Sequence, residues 1–451
     1  MTTISTIMST SLSALKAQQA AISITGNNVA NVNTDGYSRQ KVVISSTLTG
    51  TEANTKRVCD TFLTNRINDA NQELGKYEAE TKYLDSVEII FDESEGSGLS
   101  EAMSEFWSGW QDLVNDPSDS SARSLLAAAA DTLATTFNTM AADLDDIQEG
   151  IDDDVVAAVG NVNEILEQIA DLNQRLVRAD ANGQDASAYK DSINSLVSEL
   201  FSLLDVNTYR NDLGQTCIQL ADGKPLVEGG TAWSLATETN STTILQDITW
   251  VAEDGTATVV TADISGGGLG GCLEVRDTLI PAYQTQLDTL AASIMEAVND
   301  LHADGYDLDG EVGEAFFTGT GAEDMAVATE ILTGPGGIAA AESADGATGD
   351  GTIAASIAAL ADTLVLDSGT STFSDYYNAL VSEIGAAAKT AAARNETQTD
   401  AVTAMKNLRE SVSGVSLDEE TTKLVLYQNA YEAAAKVMTA LDEMLQTILE
   451  M

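Results

Sequence analysis

The 451-residue chain is poor in the side chains that most enzymes depend on. It has one histidine, His302, and three cysteines, Cys59, Cys217 and Cys272. These counts exclude almost every histidine-based triad, zinc site or disulfide framework. An odd number of widely spaced cysteines reads as unpaired small hydrophobes. Basic residues are scarce as well: 21 Lys and Arg face 71 Asp and Glu, for a formal charge of −50. A surface with that balance repels a phosphate backbone, so nucleic acid is excluded as a partner. No uncharged apolar run reaches the ~18 residues needed to cross a bilayer, so no membrane span is expected. The first 38 residues hold a single basic residue, Lys16, and no apolar block before a small-residue cleavage site, so a Sec-type signal peptide is not expected. Composition alone then leaves a cytoplasmic location as the default.

The length suggests two or three domains. Charge is unevenly spread among them: between Pro225 and Ala388 the only Lys or Arg is Arg276, while eight of the 21 basic residues precede Tyr83 and six follow Ala388. The acidic middle reads as a solubilising, solvent-facing surface suited to salty surroundings.

All four prolines (Pro117, Pro225, Pro281, Pro335) lie in the interior, which leaves both ends free for long helices. Near the N-terminus Met1, Met8, Leu15, Ile22 and Val29 recur every seven residues, flanked by Ile4 and Leu12. The stripe predicts a helix that breaks at the Gly/Asn-rich stretch from Gly26 to Asn33. At the C-terminus Leu417, Leu424, Tyr431, Met438 and Leu445 hold one heptad position, and Tyr427, Ala434, Leu441 and Ile448 hold the other. That is a coiled-coil seam, and the two terminal seams can satisfy each other. A third stripe (Leu63, Ile67, Ala70, Leu74, Tyr77, Leu84, Phe91) and the Ala/Leu/Ile-rich region from Ser121 to Leu204 continue the helical character inward.

Between Val206 and Ile264 the period changes toward two, in short runs divided by Asp222-Gly223 and Asp254-Gly255. Helical spacing resumes from Leu273 through Leu301. A Gly-, Ala- and Ser-rich stretch to about Gly351 reads as loop or weak order, and helices return from Ala354. The expected fold is mainly α with a β-rich insertion: long terminal helices paired as a coiled coil, a helical middle domain and a small β outer domain. The divisions fall at 1–50 with 405–451, 51–205 with 273–404, and 206–272.

Chemical motifs do not survive scrutiny. Gly266 to Gly271 (GGGLGG) satisfies G-x-G-x-x-G, but no second strand follows its helix to complete a βαβ unit. The glycines read as a sharp turn out of the β insertion. Asp307, Asp309 and Gly310 fit the third, fifth and sixth positions of an EF-hand loop, but Gly305 and Phe316 stand where the first and twelfth ligands belong. His302 beside them reads as a packed or surface histidine. Carboxylate pairs such as Asp152 to Asp154 are unavoidable among 71 acids. Phe106, Trp107 and Trp110 read as packing residues. No catalytic, cofactor-binding or metal residue is expected, and no cofactor.

The segment from Gly26 through Asn27, Asn28, Val29, Ala30, Asn31, Val32, Asn33, Thr34, Asp35, Gly36, Tyr37, Ser38, Arg39 to Gln40 resembles the N-terminal signature of the bacterial flagellar axial proteins, the rod, hook and hook-associated family. Its Gly-Tyr-Ser-Arg-Gln ending is similar to the hook-associated branch, whereas rod and hook proteins usually carry a Gly-Phe-type ending. The stretches beginning GLSEAMSEFW at Gly98, GGGLGGCLEVRD at Gly266 and VSLDEETTKLVLYQNAYEAA at Val415 are similar to the same family. The segment from Tyr189 to Leu200 departs from it, lacking the expected Asp-Gln-Arg-Asp pattern, and the short insertion implies that an outermost domain of larger relatives is missing.

The resemblance implies a structural subunit that joins hook to filament, with a hook or rod protein as the alternative within the family. A secreted carboxylate-dependent hydrolase is the rival outside it. The resemblance further implies export through the flagellar type III apparatus without a cleaved signal peptide, and an extracellular place in the flagellum. Its implied partners are the hook protein, the second hook-filament junction protein, copies of itself and an export chaperone on the C-terminal helix. The assembly interface is expected at Leu15, Ile22, Leu424, Tyr431, Met438 and Leu445. Asn27, Asn28, Asn31 and Asn33 should form a polar turn eased by Gly26 and Gly36, with Tyr37 and Arg39 as intersubunit contacts. Both end segments are expected to stay largely unstructured until neighbours cover them.

Overall fold

The computed structural model describes residues 2–34, 36–47, 50–93 and 98–450. Met1 of the N-terminal stripe and Asp35 of the signature lie outside the described residues, as do the side chains of Ile4 and Ile448. Among the described residues no helix is long and apolar enough to cross a membrane.

The chain opens with helix α1 (Thr2–Ala30) and a two-stranded hairpin, β1 (Gln40–Thr47) and β2 (Gly50–Arg57). Four helices follow: α2 (Thr61–Ile90), α3 (Leu99–Asn115), α4 (Ser120–Ala181) and α5 (Ser187–Leu203). Asp60 caps α2 by accepting from the Leu63 N–H, and Asp119 caps α4 by accepting from the Ser121 N–H. At 62 residues α4 runs about 90 Å and forms the spine of the molecule. Seven short strands come next: β3 (Val206–Arg210), β4 (Thr216–Leu220), β5 (Pro225–Glu228), β6 (Thr231–Ala232), β7 (Ser234–Thr239), β8 (Gln246–Val251) and β9 (Ala257–Val259). They form antiparallel sheets in the orders β3-β4-β5-β6 and β7-β8-β9.

Helix α6 (Gly267–Glu274) passes through a π-helical turn, Val275–Leu279, into α7 (Ile280–Ala303). The short strands β10 (Phe317–Thr318) and β11 (Ala326–Val327) precede helices α8 (Thr329–Thr333) and α9 (Thr352–Ala358). Helix α10 (Phe373–Ser413), capped by the Thr372 hydroxyl, returns along α2, and α11 (Leu417–Leu449) closes the chain against α1.

The β insertion is fastened to the spine by side-chain amides that imitate a strand neighbour. Asn173 donates to the carbonyls of Thr216 and Gly229 and accepts from the Thr216 N–H. Asn163 both donates to and accepts from the Leu235 backbone. Lower on α4, buried Arg276 bonds Asp152 at 2.6 Å and the Gln246 carbonyl at 3.0 Å, while Asp152 accepts from the Gln246 N–H. The single basic side chain of the acidic middle is thus a structural clamp.

In the body, Phe106, Trp107 and Trp110 of α3 meet Phe316, Phe317 and Phe373, with Phe316 and Phe317 4.9 Å apart and Trp107 stacked 5.7 Å from Phe373. His302 is 0% exposed and adjoins Phe316 and Trp110. Its Nδ1–H donates to the Glu314 carbonyl at 2.6 Å and its Nε2 accepts from the Ala339 N–H at 2.8 Å. Both ring nitrogens are used, which fixes a neutral tautomer.

Two expectations change here. The Gly- and Ala-rich stretch after His302 is irregular but not weakly ordered, because Ile338, Ala339, Ala340 and Ala341 are buried and small residues let its backbone pack directly on the core. Helix α1 runs through Gly26 to Ala30 instead of breaking there, since nothing crowds Gly26 and the helical bonds continue to the Asn31 N–H. A division at residue 50 cuts between the paired strands β1 and β2, and one at residue 405 falls inside α10. The GGGLGG run is a close helix crossing: a Cβ on Gly271 would sit 2.4 Å from the Lys76 carbonyl oxygen, and Gly267 has φ +70°.

Candidate assembly site at the paired termini

Helices α1 and α11 lie antiparallel, since Asn28 near the end of α1 meets Glu420 near the start of α11. The face that α1 turns toward α11 and the hairpin is made of small residues: Ser11, Ala17, Ala21 and Thr25 are buried, with Ile24. Small side chains let the helices approach closely and push the bulkier ones to the flank. The stripe read from the sequence is therefore one position away from the buried one. Leu15 and Ile22 are half-buried, while Ile7, Met8 (44% exposed) and Leu12 face outward.

On α11 the expected seam does face α1. Leu424, Met438 and Leu445 are half-buried, Leu441 is buried, and Tyr431 is exposed at the margin. The far side of the helix presents Val425 and Leu426 (62% exposed) to solvent, and its flank presents Val437 and Met444. Both helices are continuous and paired, so the expectation of unstructured ends is replaced by a folded pair with apolar outer faces.

At the open end of the pair sits a polar hub. Asn28 is 0% exposed and Glu420 1%. The Asn28 Nδ2 donates to Glu420 Oε2 and to the Gln40 carbonyl, both at 2.8 Å. Its Oδ1 accepts from the Tyr37 hydroxyl at 2.8 Å and the Gln40 N–H at 2.9 Å. All four hydrogen-bonding positions of this amide are thus filled, joining α1, the following loop, β1 and α11. Glu420 is neutralised by Lys423 at 2.7 Å. Burial, helped by the carboxylates of Asp191, Glu420 and Asp185, pushes the Tyr37 hydroxyl up to about 12, so it stays a donor.

The loop is shaped by its own side chains. Asn31 Nδ2 donates to the Asn27 carbonyl at 2.9 Å, Thr34 donates to Asn31 Oδ1 at 3.2 Å, and Gly36 takes φ +78°. Asn27 itself is exposed, as is Asn33. Arg39 donates to Glu419 at 2.9 Å, and its backbone N–H donates to the Ser413 carbonyl. Tyr37 and Arg39, expected between subunits, are engaged within this one because the signature loop folds back onto the start of α11. Arg57 of β2 pairs with Asp191 of α5 and donates to Ser38, tying the terminal unit to the body. Burial raises the Asp191 carboxyl while the Arg57 guanidinium opposes the shift.

The sequence reading therefore gathered Asn28, Asn31, Gly36, Tyr37 and Arg39 into one place but missed Gln40, Glu420, Arg57 and Asp191. Glu420 left a signal: it stands seven residues before Tyr427 on the apolar seam, where a buried polar group sets register. Gln40 contributes only backbone to the hub, and the Arg57–Asp191 pair spans 134 positions, so neither had a local trace.

Comparison with known proteins agrees with this architecture. A family model described as the flagellar hook-associated protein FlgK helical domain matches residues 84–317. Models of the flagellar basal body rod FlgEFG protein C-terminal region and of the flagella basal body rod protein match residues 409–451 and 8–37. Flagellar hook-associated protein 1 of Bacillus subtilis is 29% identical, over 98% of this chain and 97% of its own length. Its counterpart in Escherichia coli is 26% identical over 99% of each. In fold, the flagellar hook junction protein FlgK from Burkholderia pseudomallei superposes with a TM-score of 0.72 at 17% identity, covering 77% of this chain and 100% of that one.

Proposed function

The chain belongs to the flagellar hook-associated protein FlgK family, and from that premise we propose that it is a structural subunit of the bacterial flagellum that joins hook to filament. Its partners are hook and filament components, and its place is the flagellum. The observation that carries the mechanism is the two-sided character of the terminal pair: an inner face of small residues closed by the Asn28 hub, and outer faces that leave Met8, Leu12, Val425 and Leu426 uncovered. Exposed apolar surface of this kind is buried when copies stack, and head-to-tail stacking propagates instead of closing.

The finer assignments follow from the same surface. Direct neighbours are the hook protein, the second junction protein and copies of this chain, contacting through Leu15, Ile22, Tyr431 and the outer residues of α11. Before assembly an export chaperone covers α11, and export proceeds through the flagellar type III apparatus without cleavage of the N-terminal helix.

A carboxylate-dependent hydrolase finds little support. The carboxyls raised by burial, Glu80, Asp145 and Asp191, lie on three different helices, and Glu80 and Asp191 face the basic side chains of Lys76 and Arg57. Immunogold labelling of isolated flagella tests the junction role. Label confined to the hook–filament boundary is expected, and uniform label along hook or filament overturns it.

A further inference from the structure

The negative charge is not shared by the two parts of the molecule. Residues 1–60 and 414–451, which build the terminal pair and its hairpin, hold ten acidic and seven basic side chains, a net of −3. Residues 61–413 hold 61 acidic and 14 basic, a net of −47. Helix α1 carries one charged residue, Lys16, in 29 positions. Even if every base in the body met an acid, 47 carboxylates would have no counter-charge within it.

The excess is densest midway along the spine. Seven of the twelve residues from Asp143 to Asp154 are acidic and none is basic. Among the described residues Lys82 reaches Asp154 and Arg276 reaches Asp152, while Asp143, Asp145, Asp146, Glu149 and Asp153 have no basic side chain within ion-pair distance. Asp145 faces Asp146, Asp288 and Glu323, an arrangement in which like charges meet across α4 and its neighbours. No group of three or more His, Cys, Asp or Glu side chains among the described residues converges into a set that could hold a metal ion. A diffuse atmosphere of monovalent cations would screen such a repulsion.

We infer that the body is an ionic-strength-dependent folding unit while the terminal pair is nearly indifferent to salt, so that bulk monovalent salt gates both the stability of the free subunit and its stacking. Self-repulsion of a highly charged compact state weakens as the Debye length falls from 30 Å at 0.01 M to 3 Å at 1 M salt. Stacking brings bodies of −47 side by side, and only the near-neutral terminal helices can approach without that penalty. The stacking arm rests on the junction reading above; the stability arm does not.

Thermal unfolding of the free full-length chain tests the inference, followed by circular dichroism between 0.01 and 1 M NaCl. The main transition should rise by more than about 10 °C across that range, whereas sucrose at constant 0.01 M NaCl should leave most of the deficit in place. A variant carrying Asp143→Asn, Asp145→Asn, Asp146→Asn and Glu149→Gln, whose amides keep the shape of the acids they replace, should melt higher than the parent at 0.01 M and show a flatter salt dependence. A transition indifferent to NaCl, an unchanged slope in the variant, or full stabilisation by micromolar CaCl2 alone would each overturn it. Because these readings need no assembly, a chain that melts as expected but never polymerises with salt would sink the junction reading and leave the salt-dependent body standing.

Discussion

The body and the terminal pair are both helical, yet they are finished to different degrees. In the body, Phe106, Trp110, Leu133, Val155 and Leu290 are fully enclosed, and the aromatic cluster around Phe316 leaves no large side chain half-covered. In the terminal pair the enclosed side chains, among the described residues, are mainly small ones, the polar hub of Asn28 and Glu420, and the apolar Ile24 and Leu441, while Met8, Leu12, Val425 and Leu426 stand in solvent. A folding unit that buries its own surface is stable alone. One that buries half of its apolar surface is stable enough to hold a shape and complete only in company.

The largest expected effect falls on the finished half. Phe106→Ala removes a ring that touches Trp107, Trp110, Phe316 and Phe317, and should cost about 3–5 kcal/mol, read as a fall in the midpoint of urea unfolding. If the midpoint hardly moved, the aromatic cluster would not be the centre of the body.

Acid should act on the same half. Burial holds the folded His302 near 4 against an ordinary value of 6.5, with Arg123 pushing the same way and the Glu314 carbonyl and Asp307 opposing. Below pH 6.5 the unfolded chain takes up a proton that the folded chain refuses, so this contribution is complete above 6.5 and is lost as pH falls toward 4. The loss should total roughly 3 kcal/mol, at about 1.4 kcal/mol per pH unit. Glu80, Asp145 and Asp191, whose carboxyls are raised, change stability in the opposite direction at lower pH, so the slope is best measured between 6.5 and 5.5. Since His302 is the chain's one histidine, a flat profile there would remove it from the core.

A smaller and more local loss is expected from Asn28→Ala, which leaves the Gln40 N–H, the Tyr37 hydroxyl and one Glu420 oxygen without their partner. About 2 kcal/mol should disappear from the terminal pair and almost nothing from the body. Amide exchange of α1 would speed up while that of α4 stayed slow; equal acceleration of both would mean that the two regions fold as one.

The smallest effect on the free chain should come from Leu426→Ser, within about 0.5 kcal/mol, because the side chain is already exposed. Its effect on incorporation into flagella should nevertheless be large. A variant that assembles as well as the parent would place the outer face of α11 outside the contact.

The division into helical ends, helical spine and β insertion was legible because period and turn chemistry are local. Asp222-Gly223 and Asp254-Gly255 each mark a turn, with Gly223 at φ +92° and Gly255 at φ +82°. The α11 seam was legible for the same reason. What the pattern could not supply was which of two adjacent stripes on α1 faces inward, since Ala17 and Ala21 carry little hydrophobic signal yet decide the closest approach. The hairpin at Gln40–Arg57 was invisible because its strands, QKVVISST and GTEANTKR, are largely polar and lack a two-residue turn signal. The buried loop after His302 was misread because glycine and alanine look like disorder in composition, whereas here they let backbone pack on aromatic rings.

Amide hydrogen exchange of the full-length chain, first free and then incorporated into flagella, tests the unfinished state of the terminal pair most directly. In the free chain α1 and α11 should exchange faster than α4 by orders of magnitude, and in the assembled state all three should be protected alike. Terminal amides as slow as those of α4 before assembly, or no slower after it, would contradict the idea that neighbouring subunits complete the pair.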